Sequence, residues 1–85
     1  MSRHGTVAAL NPHRGMVAIA TTDGGYTIIE LLSNFELELG DEVRWKDDFA
    51  MGHEIYTNVT KSVSEEVYVQ NHGVTKANLH QQLLL

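Results

Sequence analysis

Apolar residues recur at about every second position in short runs, and each run is cut by glycine, proline or asparagine. Such a pattern cannot feed long helices and instead predicts a series of short, half-buried β-strands. Thr6-Val7-Ala8-Ala9-Leu10 forms a candidate first strand, stopped by Asn11-Pro12, where the proline removes a ladder donor and favours a turn. Met16 to Thr21 makes a second. Asp23-Gly24-Gly25 is a hairpin signal, since glycine supplies the positive φ of a tight turn. Tyr26 to Leu32 follows as a third strand. Asn34 to Leu39 alternates apolar and acidic residues, which fits either a short strand or a bent connection. Glu42 to Lys46 sets Val43 and Trp45 on one face and charges on the other, the pattern of a half-buried fourth strand. Asp47 to Glu54 reads as a loop, and Ile55 to Thr60 as a fifth strand.

Beyond Thr60 the texture changes. Val67-Tyr68-Val69 is a candidate sixth strand, ended by a turn at Asn71-His72-Gly73. Thr75 then suits an N-cap, and Val74 with Leu79 has the spacing of a hydrophobic staple. A short helix from Lys76 to Leu84 would carry Leu79 and Leu83 on one face, and a helix so short must dock to persist. The expected fold is mainly β: a small five-stranded Greek-key barrel of the OB type, with an added C-terminal strand and short helix. An SH3-like barrel is its main structural competitor. A chain of 85 residues holds one domain. Residues 1–60 are expected to form the barrel, with 61–85 packed on it.

Composition removes several function classes. The chain has no cysteine, so disulfides, thiolate metal sites and cysteine nucleophiles are excluded. Six Lys+Arg against eleven Asp+Glu give a formal charge of −5, which repels phosphate at long range. No apolar run reaches membrane-spanning length and the N-terminus has no signal-peptide pattern, so a cytoplasmic protein without a membrane role is expected. The sequon Asn58-Val59-Thr60 carries no weight without a secretory signal.

Four ordered motifs carry a resemblance. Gly5-Thr6-Val7, Asn11-Pro12, Arg14-Gly15 with Ile19, and Leu37-x-x-Gly40-x-x-Val43-x-Trp45 resemble bacterial cold-shock domains. Asn58-Val59 falls where that family usually ends its fifth strand, so the likeness spans about residues 4 to 60. The resemblance implies an OB barrel and says nothing of the C-terminal extension. Cold-shock domains hold single-stranded RNA or DNA by stacking bases on aromatic side chains, beside a tryptophan and lysines. Carried over one position at a time, the tryptophan place falls at Ala9 and the second-strand aromatics at Met16 and Ala18. The third-strand places fall at Ile28, Glu30 and Leu31, where Glu30 sets a carboxylate in the path of a phosphate backbone. Only Arg14 keeps basic character, and Phe35 stands near the family's loop aromatic after a one-residue shift. Each stacked base is worth about 1–3 kcal/mol, so losing three or more partners turns a useful binder into a negligible one.

The expected function is therefore a non-catalytic interaction module. Its former stacking face, Ala9, Arg14, Met16, Ala18, Ile28, Glu30, Leu31 and Phe35, becomes an apolar packing or protein-contact surface. Three occupants are open for it: the C-terminal segment, through Val67, Val69, Leu79 and Leu83; a protein partner; or a second copy in a homodimer. The alternative is a weak single-strand nucleic-acid binder using Arg14, Phe35, Trp45 or Tyr26. Trp45 otherwise reads as core, because Val43 shares its face. A sugar or small-ligand groove has no residue-level support.

No enzyme and no cofactor are expected. There is no Gly-x-Ser-x-Gly, and Gly24-Gly25 lacks the following Gly-Lys-Ser/Thr of a phosphate loop. The histidines at 4, 13, 53, 72 and 80 have no metal-ligand spacing. Asp47-Asp48 with Glu54 reads as a solvated acidic loop before a cation site.

Overall fold

Alternation in the sequence becomes an inside and an outside only when the sheet closes. In the computed structural model, which describes residues 3–22, 24–33, 36–46 and 51–83, the strands are β1 (Arg3–Asn11), β2 (Met16–Thr21), β3 (Tyr26–Leu31), β4 (Glu42–Trp45), β5 (Gly52–Asn58) and β6 (Val63–Val74). A 3₁₀ turn, Lys76–Asn78, and one helical turn, α1 (Leu79–Gln82), follow. The sheet closes in the order β1-β2-β3-β6-β5-β4, with every neighbouring pair antiparallel. The protein is thus a mainly β closed barrel with a short C-terminal helix. Among the described residues no helix is long and apolar enough to cross a membrane.

Six strands close the barrel rather than the expected five. The added strand is part of the wall, because β6 is hydrogen-bonded to both β3 and β5. It runs twelve residues where local signals support three. Asn71-His72-Gly73 does not end it as a turn. The β3–β6 register slips twice, between Tyr26 and Ile28 and between Ile28 and Ile29, and both extra residues lie on β6. Bulges of this kind bend and twist a strand without ending its pairing. Similarly, β5 begins at Gly52, within the expected loop, because Gly52 and His53 pair with Val69 and Tyr68. Asp23, Asn34, Phe35, Asp47, Asp48 and Leu84, which the sequence-based expectations name, lie outside the described residues.

The interior holds Val7, Val17, Ile19, Ile29, Val43, Trp45, Tyr56, Val67 and Val69, with Leu10, Leu31 and Leu37 at its edge. Trp45 lies flat on Tyr56 with ring centroids 4.6 Å apart, so the core reading of this tryptophan holds. A polar knot ties the connection before β4 to the end of β5. Asn58 Nδ2 donates to Asp41 Oδ2 (2.8 Å) and to the Glu36 carbonyl (3.0 Å), while the Lys61 amide donates to Asn58 Oδ1 (3.1 Å). Lys61 Nζ lies 3.0 Å from Asp41 Oδ2. The Asn58 hydrogen bond, with the Glu38 amide and the Lys61 ammonium, holds the Asp41 carboxyl below its usual range despite burial.

Candidate functional site

One bulge decides what the outer face of β2 and β3 contains. In β1 the register shifts between Val7 and Ala9, leaving Ala8 unpaired, so Val7 and Leu10 both pack inside while Ala9 turns outward. Ala9 then sits opposite Ala18, and Ala18 opposite Ile28. Three strands thereby present a contiguous apolar strip, extended by Met16 and bordered by Tyr26.

The strip is covered by the chain's own C-terminus. Met16, Ala18, Ile28, Val74 and Leu83 form a second buried cluster, separate from the barrel interior, with Ala9, Tyr26 and Leu79 packed at its margin. Leu83 is 1% exposed and Ile28 fully buried, so water is excluded from the centre of the face. A buried hydrogen bond fixes the register of this cover: Asn11 Nδ2 donates to the Leu83 carbonyl at 2.7 Å. The staple residues Val74 and Leu79 thus join one apolar cluster, as their spacing suggests. Thr75 occupies the N-cap position, but its hydroxyl accepts from Asn78 Nδ2 (3.0 Å) rather than from a backbone amide. The segment rests on side-chain burial more than on its own helix, which is one turn long.

The sequence-derived face separates into three groups. Ala9, Met16, Ala18 and Ile28 come together beneath the cover. Leu31 does not join them, because it packs against the barrel interior. Val67 and Val69, expected in the cover, are likewise inner core, because β6 is a wall strand. Arg14 and Glu30 line a cleft of about 350 Å³ beside the cover, with Met16, Gln70, Gln81 and Gln82. Glu30 Oε1 accepts from Gln70 Nε2 at 3.0 Å. Among the described residues no aromatic ring lines this cleft, which offers amides, the Arg14 guanidinium and the Glu30 carboxylate where a base would stack on a flat ring. Phe35 lies outside the described residues.

Sequence reasoning did not place Tyr26 or Asn11 at this face. Tyr26 borders the cluster through its place opposite Ala20 and Val74. Asn11, read only as a turn residue, is buried and locks the cover. An asparagine at a strand end gives no local sign of a bond to a carbonyl 72 positions away. Comparison of the chain with protein-family models, with curated proteins and with solved structures finds no match in any of the three.

Proposed function

We propose that the chain is a non-catalytic, cold-shock-like interaction module in which the face that cold-shock domains use for bases holds peptide instead. One observation carries the reading: Leu83 is buried on the Met16–Ala18–Ile28 strip, on the strands where the resembled family stacks nucleotides. A strip of Ala18, Met16 and Ile28 side chains is complementary to leucine, and its centre offers no π-face to a base. The residues that carry the likeness support it further. Gly5 packs so closely on β2 that a Cβ there would collide with the Ala20 carbonyl oxygen and approach Ile19 Cγ2 to 2.7 Å. Asn58 closes β5, as the resemblance implies.

Titration of the full chain with oligo-dT and oligo-U at low salt tests the proposal. No saturable change in Trp45 fluorescence or amide NMR shifts is expected. Saturable, salt-sensitive binding near micromolar concentration would establish the nucleic-acid reading in its place. The complementary arm is Leu83→Glu, which drives a charge into the apolar strip and is expected to expose it, giving dye binding and association.

A further inference from the structure

With the β2–β3 face covered, the outer wall of β4, β5 and β6 still shows apolar character. Ile55 is 56% exposed at its centre, and Tyr68 is 39% exposed on the neighbouring strand. Cross-strand pairing orders this wall in levels: Arg44 beside Thr57 and Ser64, Ile55 beside Glu66, and His53 beside Tyr68. Lys46 directly follows Trp45 at the end of β4, where Trp45 pairs with Tyr56, and it lines the same groove as Ile55 and Glu66. Across the wall, charge therefore runs from Lys46 and Arg44 on the β4 side, over Ile55, to Glu66 on the β6 side. A groove of about 660 Å³ joins these residues, and Glu54 lines it as well, next to Ile55 on the central strand. Arg44 and Lys46 make no ion pair among the described residues, which is notable in a chain of net charge −5. Glu66 lies 3.7 Å from His53.

We propose that this wall is a self-association surface whose occupant is a second copy of the chain, related by a two-fold axis running along β5. The charge order selects that axis. Rotation about a line parallel to β5, lying between the two walls, sets Ile55 against Ile55 and carries β4 of each copy over β6 of the other. Lys46 then faces Glu66 twice, and Arg44 flanks the same carboxylates. Rotation about a line across the strands would instead place β4 over β4 and β6 over β6, joining like charges. A two-fold contact must be self-complementary, and only the first arrangement is. Sheets also pack face to face at a small crossing angle, which keeps these levels in register.

Size sets the strength. The molecule measures 29 × 27 × 23 Å, so one curved wall offers at most about 700–800 Å² per copy, the lower range of stable interfaces. The dimer is accordingly reversible, with Kd in the range of about 10–500 μM, and weakens as salt screens the paired charges. This inference extends the reading as an interaction module to a different face, so the two fail separately.

The test is sedimentation velocity of the full chain from about 10 μM to 1 mM, for wild type, Lys46→Glu, Glu66→Lys and the double variant. Both positions are outside the core, and circular dichroism checks that each variant folds. Wild type is expected to move from monomer to dimer. Each single reversal sets like charges together and should raise Kd at least tenfold, while the double variant, which exchanges the two signs, should return to within about threefold of wild type. A wild type that stays monomeric at 1 mM overturns the proposal. So do single reversals that dimerise as wild type does, or a double variant no better than the singles. If Leu83→Ala abolishes the dimer while the charge variants leave it intact, exchange of the C-terminal cover is the correct mechanism and the β4–β6 wall is excluded.

Discussion

Leu83→Ala is the sharpest test of how the β2–β3 face is closed. Leu83 is almost fully buried among Met16, Ala18, Ile28 and Val74. Truncating a buried leucine to alanine costs about 2–5 kcal/mol through lost transfer energy and the cavity left behind. The lower end applies here, because a terminal segment one helical turn long undocks rather than sustain a void, and the loss cannot exceed the free energy of docking. About 2 kcal/mol in a domain of this size lowers Tm by about 8–16 °C. Thermal unfolding followed by far-ultraviolet circular dichroism reads the shift, and a hydrophobic dye reports exposure of the strip below the transition. Leu39→Ala, at an exposed turn position, is the control and should stay within about 0.5 kcal/mol of wild type. A Leu83→Ala variant melting within about 2 °C of wild type, with no added dye binding, would show that the cover contributes nothing and that the cluster reasoning fails.

Other substitutions probe the rest of the frame. Asn11→Ala removes the donor to the Leu83 carbonyl and should destabilise by about 1–2 kcal/mol, measured by urea unfolding; in a Leu83→Ala background the same change should cost less. Gly5→Ala forces a methyl onto the β2 backbone, and a loss of at least about 2 kcal/mol, or failure to fold, is expected in the same assay. Tyr56 is buried with its hydroxyl unpartnered among the described residues, and burial pushes the phenol above its ordinary pKa; Tyr56→Phe should leave stability unchanged or raise it by up to about 1 kcal/mol. Asp41 has its folded pKa depressed, so its stabilising effect is complete above the unfolded value near 3.9 and is lost as pH falls through the folded one. Urea midpoints of wild type should therefore drop below about pH 4, and Asp41→Asn should flatten that drop.

The sequence by itself determined the period of two, and with it the β class, the extent of β2 and the core role of Val43 and Trp45. It also determined that the strip holding Ala9, Met16, Ala18 and Ile28 is apolar, and that Leu79 and Leu83 share a side fit to cover it. These are local properties, set by spacing and side-chain chemistry along a few residues. Tertiary structure alone decided that β5 starts at Gly52, that β6 runs on to Val74, and that six strands close the ring, because each depends on hydrogen bonds to strands distant in sequence. It alone sent Val67 and Val69 inward, because β6 closes the wall, packed Leu31 against the same interior, and set Ala9 outward between the inward Val7 and Leu10, since one unpaired residue in β1 reverses the alternation beyond it. Above all it decided that the strip is filled in cis: Leu83 packs on an apolar surface outside the barrel, and an asparagine 72 residues earlier holds it there.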